Sequence, residues 1–274
     1  MASCNARLCR VFLIAFSALF TFGFGLTASA ADVAADRAYH EALKKAVSEV
    51  LKENPDILLN ILKENSEMVL EIAQQGNTLR KRKAMLAQWE QDAKSPKTID
   101  LQGRPFRGKK TAPLTIVAYS DFTCPYCRQA EYVMQQILKK YDGKVRMSFK
   151  PLPKDEPFSL AAAKYSIAAF RLDEAKGWEF FDALFKNIEQ YEREGDDFLK
   201  NTAVALGYDF KKLKSEAGSA QVQEMLDTDR KEADRYGISG TPHFLVGNLL
   251  VRGVVSKDLF EEAVDMALRQ AGVK

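Results

Sequence analysis

From about residue 33 to residue 94 the apolar positions recur with helical spacing, in three runs. The first carries Ala38, Leu43, Val47, Val50 and Leu51, spaced as one face of a helix. Asn54-Pro55-Asp56 then reads as a stop and a restart, with Asn54 as N-cap, Pro55 at the first helical position and Asp56 in the first turn. The second run is expected to end at Gly76-Asn77, and the third to extend from about Thr78 to Lys94, before Ser95-Pro96. Val47, Asn54, Ile61 and Met68 recur every seven residues, and Leu51, Leu58, Asn65 and Ile72 fill the complementary positions. That is a heptad seam carrying two asparagines. Ile57, Leu58, Leu59, Ile61 and Leu62 also spread over more than one narrow face. A short helical arm with this much apolar surface is not stable alone in water. It either caps the rest of the chain or packs against copies of itself, and heptad spacing favours the second.

Beyond Ile99 the period changes. Leu114 to Tyr119 is a short apolar, partly β-branched run of strand type. Cys124 to Tyr141 returns to helical spacing, with Val133, Ile137 and Leu138 apolar, Arg128, Glu131 and Lys139 polar, and Gly143 as the stop. Val145 to Lys150 reads as a second strand, ended by Pro151-Leu152-Pro153. From about Phe158 to Arg235 the pattern is helical, with breaks expected at Gly177, Gly195, Gly207 and Gly218. Gly240-Thr241-Pro242 then leads into a hairpin, His243 to Val246 and Leu249 to Val251, turning at Gly247-Asn248. Ser256 caps a last amphipathic helix to Gln270, with Phe260, Val264 and Leu268 on one face. The order β-α-β, helical block, β-β-α is that of an α/β thioredoxin fold. It places a helical insertion at about 155–235 within a domain spanning 97–274, preceded by an all-α oligomerisation arm over 31–96.

Ahead of the arm, Arg7 and Arg10 precede an apolar stretch from Val11 to Leu26 that exits through Ala28-Ser29-Ala30, the small-x-small pattern a signal peptidase reads. The stretch is short for a membrane anchor, the other reading. Residues 1–30 are therefore expected to be a cleaved signal peptide that takes Cys4 and Cys9 with it. The rest of the chain then works in an oxidising compartment such as a bacterial periplasm. Charge adds little: 40 Lys and Arg stand against 37 Asp and Glu, which argues against nucleic acid or an anionic membrane as partner. The basic run Arg80-Lys81-Arg82-Lys83 reads as a solvated helix face rather than a binding patch.

The cysteines that remain are Cys124 and Cys127, in Asp121-Phe122-Thr123-Cys124-Pro125-Tyr126-Cys127, where the first strand gives way to a helix. A chain of this length does not need structural disulfides. A cysteine at a helix N-terminus faces unpaired backbone N–H groups and the positive end of the helix dipole, both of which favour thiolate. A second cysteine within one turn can close a strained disulfide with the first, so the pair can accept or donate a disulfide by thiolate exchange. Cys124 is thereby the expected attacking thiol. Half a zinc site is the bland alternative, but no second Cys pair exists and His40 and His243 are the only histidines. Copper(I) needs only two soft thiolates and stays open as a role of another class.

On Cys124-Pro125-Tyr126-Cys127 after a strand, Gly240-Thr241-Pro242 before the hairpin, and the helical insertion between them, the chain from about Lys97 onward resembles the DsbA family of secreted thiol oxidoreductases. The helical arm makes it similar to the oligomeric ScsC-type branch, whose trimeric members shuffle disulfides. The resemblance implies that Cys124 is the exposed nucleophile and Cys127 the buried resolving thiol. It implies that Pro125 and Tyr126 support the site, and that Pro242 is cis and faces the cysteines, leaving the Thr241 backbone free to pair with an extended substrate strand. X-Pro is the one bond that adopts cis cheaply. It further implies protein substrates with thiols or disulfides, a membrane thiol-disulfide redox partner, no cofactor, and a homo-oligomer, a trimer ahead of a dimer. His243 is expected beside the proline turn and not as a general base.

Two departures qualify the likeness. Many thioredoxin-fold enzymes carry a buried acid six residues before the first cysteine, where this chain has Ala118; Glu131 and Lys150 are the candidate substitutes, each with a plain salt bridge as its alternative. Strongly oxidising members have histidine in place of Tyr126, and a tyrosine offers the thiolate no positive charge. A disulfide isomerase or reductase is therefore expected ahead of a dithiol oxidase.

Overall fold

The computed structural model describes residues 30–273. The expected signal peptide, with Cys4 and Cys9, lies outside the described residues. Two compact units divide the chain, the first ending at Ala73 and the second beginning at Gln74.

The first unit holds α1 (Ala30–Glu53), α2 (Pro55–Glu64) and the start of α3 (Ser66–Asp92). Between residues 34 and 73 no described side chain is buried. Val47, Leu58, Ile61, Met68 and Ile72, all named for the seam, are about half exposed. The heptads do not run along one continuous helix. Asn54 lies at the N-cap position of α2 but does not cap it: its Nδ2 donates back to the Val50 carbonyl at 3.0 Å. Asn65 does the same to Ile61 at 2.8 Å and breaks the helix there. Both asparagines thus serve their own backbone, as short polar side chains do when they compete with helix bonding. The stop expected at Gly76-Asn77 is not observed, because α3 runs through it. A glycine costs a helix interior only about 1 kcal/mol, less than the surrounding helix-forming residues supply.

The second unit starts earlier than residue 97. Trp89, near the end of α3, is fully buried and donates its Nε1 hydrogen to the Leu250 carbonyl at 3.0 Å. The expected boundary is corrected accordingly, and the last turns of α3 belong with the sheet domain.

That domain is built on a five-stranded sheet in the order β1-β3-β2-β4-β5. Strand β2 (Leu114–Ser120) lies parallel to β3 (Val145–Pro151), and α4 (Pro125–Lys140) makes the crossover. The hairpin strands β4 (His243–Val246) and β5 (Leu249–Arg252) add antiparallel to β2. A three-residue edge strand, β1 (Phe106–Gly108), pairs antiparallel with β3 and carries too little pattern to read from sequence. Alternation along the strands gives the sheet two faces. Ile116, Ala118, Met147, Phe149 and Phe244 join the main core with α4, with α11 (Lys257–Gln270) and with the insertion. Val117, Tyr119, Leu245 and Leu250 join a smaller core with Ala233 and Ile238. Ser256 caps α11 as read, accepting from the Leu259 N–H at 3.3 Å.

Six helices fill the insertion: α5 (Pro157–Leu172), α6 (Glu174–Lys186), α7 (Ile188–Glu194), α8 (Asp196–Ala205), α9 (Phe210–Ala217) and α10 (Ala220–Arg235). The break expected at Gly177 falls instead at Asp173, whose carboxylate caps α6. Gly177 is buried inside α6, where a Cβ would stand 2.8 Å from the Phe170 Cα. It is there for close helix approach, not for a turn.

Candidate active site

Strand β2 ends at Ser120, and the next residues reverse the chain. Asp121 Oδ1 accepts from the Thr123 N–H at 2.9 Å and the Thr123 hydroxyl at 3.0 Å, while the Cys124 N–H donates to the Asp121 carbonyl at 3.2 Å. This Asx-type turn sets Cys124 as N-cap of α4 in extended backbone geometry, with Pro125 opening the helix. Pro125 lacks the N–H that would go unpaired there. Cys124 Sγ makes no capping bond to the helix. It donates instead to the Thr241 carbonyl at 3.8 Å.

Cys127 sits one turn inside α4 and is 1% exposed. The Asp121 N–H donates to its Sγ at 3.5 Å, and the Ser120 and Thr241 side chains also favour its thiolate form. Burial outweighs these bonds and pushes the thiol up to about 12. Phe122, Phe149, Phe181 and Phe185 pack ring against ring in the same core, with centroids 4.8 to 5.5 Å apart for most pairs, a dry setting that disfavours a buried thiolate. Both cysteines are free. Cys124 is more covered than an exposed nucleophile would be, at 6%, because its sulfur is tucked under the Thr241 carbonyl. Tyr126, by contrast, is 65% exposed beside it.

The Thr241–Pro242 bond is cis, and the Gly253 N–H donates to the Pro242 carbonyl at 2.9 Å. His243 opens β4 directly after it and pairs in register with Tyr119. Burial pushes the His243 imidazole down, toward the neutral form. The structure therefore brings Cys124, Cys127 and Thr241 together, with Pro125, Tyr126 and Pro242 as their chain neighbours.

The two proposed substitutes for an acid at position 118 part company. Lys150 is fully buried on the sheet face opposite Ala118, bound to Glu232 and Asp229, and does not serve the thiols. Glu131, one turn beyond Cys127, accepts from Arg107 at 3.4 Å, and burial pushes its carboxyl up to about 7 against the pull of that guanidinium. Arg107 is held in turn by Asp182 at 2.8 Å and lies 4.3 Å over the Trp178 ring. Ser120 and Asp121 were not singled out from sequence, although Asp-x-Thr before a helix is a turn signal that could have found the second.

A family model described as thioredoxin matches residues 100–266. The chain belongs to the thioredoxin family. Among relatives of this thioredoxin-family chain is a Na(+)/H(+) antiporter NhaA from Salinispora tropica, 30% identical over 61% of this chain and 25% of that protein; the chain thus spans about a quarter of the antiporter's length. Disulfide bond formation protein D from Bacillus subtilis is 26% identical over 62% of this chain and 79% of its own. The crystal structure of Proteus mirabilis ScsC in a transitional conformation superposes with a TM-score of 0.55, covering 85% of this chain and 99% of ScsC at 21% identity, a likeness of fold.

Proposed function

We propose that this chain is a thiol-disulfide oxidoreductase acting on protein disulfides through Cys124 and Cys127, with isomerisation or reduction as its working direction. The observation that carries the reading is the asymmetry of the two thiols. Cys124 lies at the helix N-cap with its Sγ against the Thr241 carbonyl, while Cys127 lies one turn inside the helix with its thiol pushed up to about 12. The Cys124 thiolate attacks one sulfur of a substrate disulfide. A mixed disulfide forms, and the other substrate sulfur leaves with the electron pair. Two exits follow. Cys127 can attack Cys124, which releases the substrate reduced and leaves the chain oxidised; or a substrate thiolate can attack instead, which regenerates Cys124 and leaves the substrate rearranged. A resolving thiol that resists ionisation slows the first exit and lengthens the time for the second. Thr241, by its position against Cys124, offers a backbone edge to an extended substrate, as in β-addition.

The exposed apolar arm supports assembly of identical chains, three ahead of two, so that several dithiols share one substrate. The leader-like first 30 residues and the exchange chemistry support a periplasmic setting, with a membrane thiol-disulfide protein restoring the redox state. The likeness to a disulfide bond formation protein favours a second reading, a dithiol oxidase. Refolding of a protein with scrambled disulfides separates the two. The chain from residue 31 should be oligomeric by light scattering and should isomerise. A version starting at Gln74, where the second compact unit begins, should be monomeric, lose isomerisation and keep dithiol oxidation. Equal isomerisation by both versions leaves the oxidase as the account.

A further inference from the structure

On the sheet face away from the main core lies a buried charge cluster that the exchange chemistry leaves unused. Tyr119 of β2 stands between Lys150 of β3 and His243 of β4 in the sheet register. Glu232 of α10 reaches Tyr119 and Lys150. Its Oε1 accepts from the Tyr119 hydroxyl and from Lys150 Nζ, each at 2.5 Å, and its Oε2 accepts the Asp100 N–H at 2.9 Å. Lys150 also lies 3.4 Å from Asp229, which binds Arg104 at 2.7 Å. Tyr119, Lys150 and Asp229 have no exposure at all.

Stability alone does not explain such a cluster, because well-packed apolar residues often serve as well or better than buried ion pairs. What the cluster fixes is position. Tyr119 stands next in the chain to Ser120 at the end of β2, Lys150 stands next to Pro151, which pairs with Ser120, and Glu232 lies on the helix that leads toward Thr241. The Ser120 side chain favours the Cys127 thiolate, and Asp121, whose N–H donates to Cys127 Sγ at 3.5 Å, follows it. Lys150 precedes Pro151, which lies opposite Ser120, and the Leu152 N–H donates to the Ser120 carbonyl at 2.8 Å. Glu232 occupies the last turn of α10, and its carbonyl accepts from the Tyr236 N–H at 3.3 Å as the chain leaves for Thr241. The Glu232–Tyr119 bond therefore ties the helix that launches the Thr241 loop to the strand that delivers the dithiol.

We propose that Glu232 is a positioning residue for exchange with polypeptides: through Tyr119 and Lys150 it holds the Thr241 edge in register with Cys124. The inference rests on the reading of Thr241 as the docking edge. It adds no chemical step, since Cys124 still attacks a substrate sulfur and the partner sulfur still leaves with the electron pair. A small disulfide needs the sulfur alone, whereas a polypeptide needs the sulfur and the edge at a fixed separation. Misplacing reacting groups by about 1 Å is enough to cost a hundredfold in rate.

The test compares Glu232→Gln and Tyr119→Phe with the parent chain on two substrates, 5,5′-dithiobis(2-nitrobenzoate), which has no peptide backbone, and a disulfide-bonded peptide. For Glu232→Gln, kcat/KM on the peptide is expected to fall about tenfold or more, mainly through KM, while the rate on the small disulfide stays within about twofold. Tyr119→Phe keeps the Glu232–Lys150 pair and should show the same split to a smaller degree; it decides the question if Glu232→Gln does not fold. Equal losses on both substrates, or none on either, overturn the proposal. Failure of the parent chain on the small disulfide strikes the exchange reading instead.

Discussion

Replacing Cys124 by serine isolates the Cys127 thiol and exposes its chemistry to measurement. Burial, with a smaller push from the Cys124 sulfur that this substitution removes, raises that thiol from 9.0 to about 12. A rise of at most three pKa units removes a factor of up to about 1,000 from the thiolate population at any pH well below 9. A more basic thiolate is also a better nucleophile, and a Brønsted slope of about 0.4–0.5 returns roughly a factor of 20 over the same interval. The net effect is alkylation up to about 50-fold slower than for an ordinary thiol, before restricted access to a side chain that is 1% exposed slows it further. The assay is the rate of iodoacetamide labelling of Cys124→Ser at pH 7.5, folded and then unfolded in guanidinium, where the thiol regains its ordinary value. Removing the Ser120 hydroxyl, which stabilises the thiolate, should slow the folded rate again. Folded and unfolded rates within fivefold of each other would refute the reasoning.

Other outcomes follow from particular contacts. Glu131 is raised from 4.5 to about 7 by burial, so the folded state holds a proton that the unfolded state has lost between those values. Stability on this account falls as pH rises from 4.5 through 7, by on the order of 3 kcal/mol; Glu131→Gln should lack that fall in urea unfolding at pH 4.5 and pH 8, and a wild-type-minus-variant difference that does not change with pH counts against it. Gly177→Ala would place a Cβ 2.4 Å from Phe170 Cδ1 and 2.8 Å from its Cα, so a loss of about 1–3 kcal/mol or more is expected, read as a lower thermal midpoint. Gly76→Ala meets nothing within 4 Å and, because α3 is continuous through it, should gain about 0.5–1 kcal/mol. A chain cut after Lys94 loses the buried Trp89 and should unfold at lower denaturant than one cut after Ala73, since removing a buried tryptophan side chain alone costs about 3–5 kcal/mol.

What could be read in the chain was what short-range chemistry decides. The strands at Leu114 and Val145, the hairpin across Gly247-Asn248 and the Ser256 cap each depend on a few neighbouring residues, and each stands where the pattern put it. The dithiol turn was legible for the same reason. Misreadings came where one residue type serves two purposes. Gly76 and Gly177 looked like punctuation, but one is carried by a strong helix and the other exists for contact with Phe170. Asn54 looked like a cap for the helix that follows, yet its amide satisfies the Val50 carbonyl of the helix before it. Contacts between distant segments left no local trace. Nothing near Trp89 announces Leu250, and nothing near Lys150 announces Glu232.

The division of labour between the two thiols is tested most directly by trapping. Full-length Cys127→Ser, mixed with a disulfide-bonded protein substrate and resolved without reductant, should accumulate a mixed disulfide joined through Cys124. The matching Cys124→Ser chain should accumulate none. A mixed disulfide joined through Cys127, formed by the Cys124→Ser chain and not by its counterpart, contradicts the account.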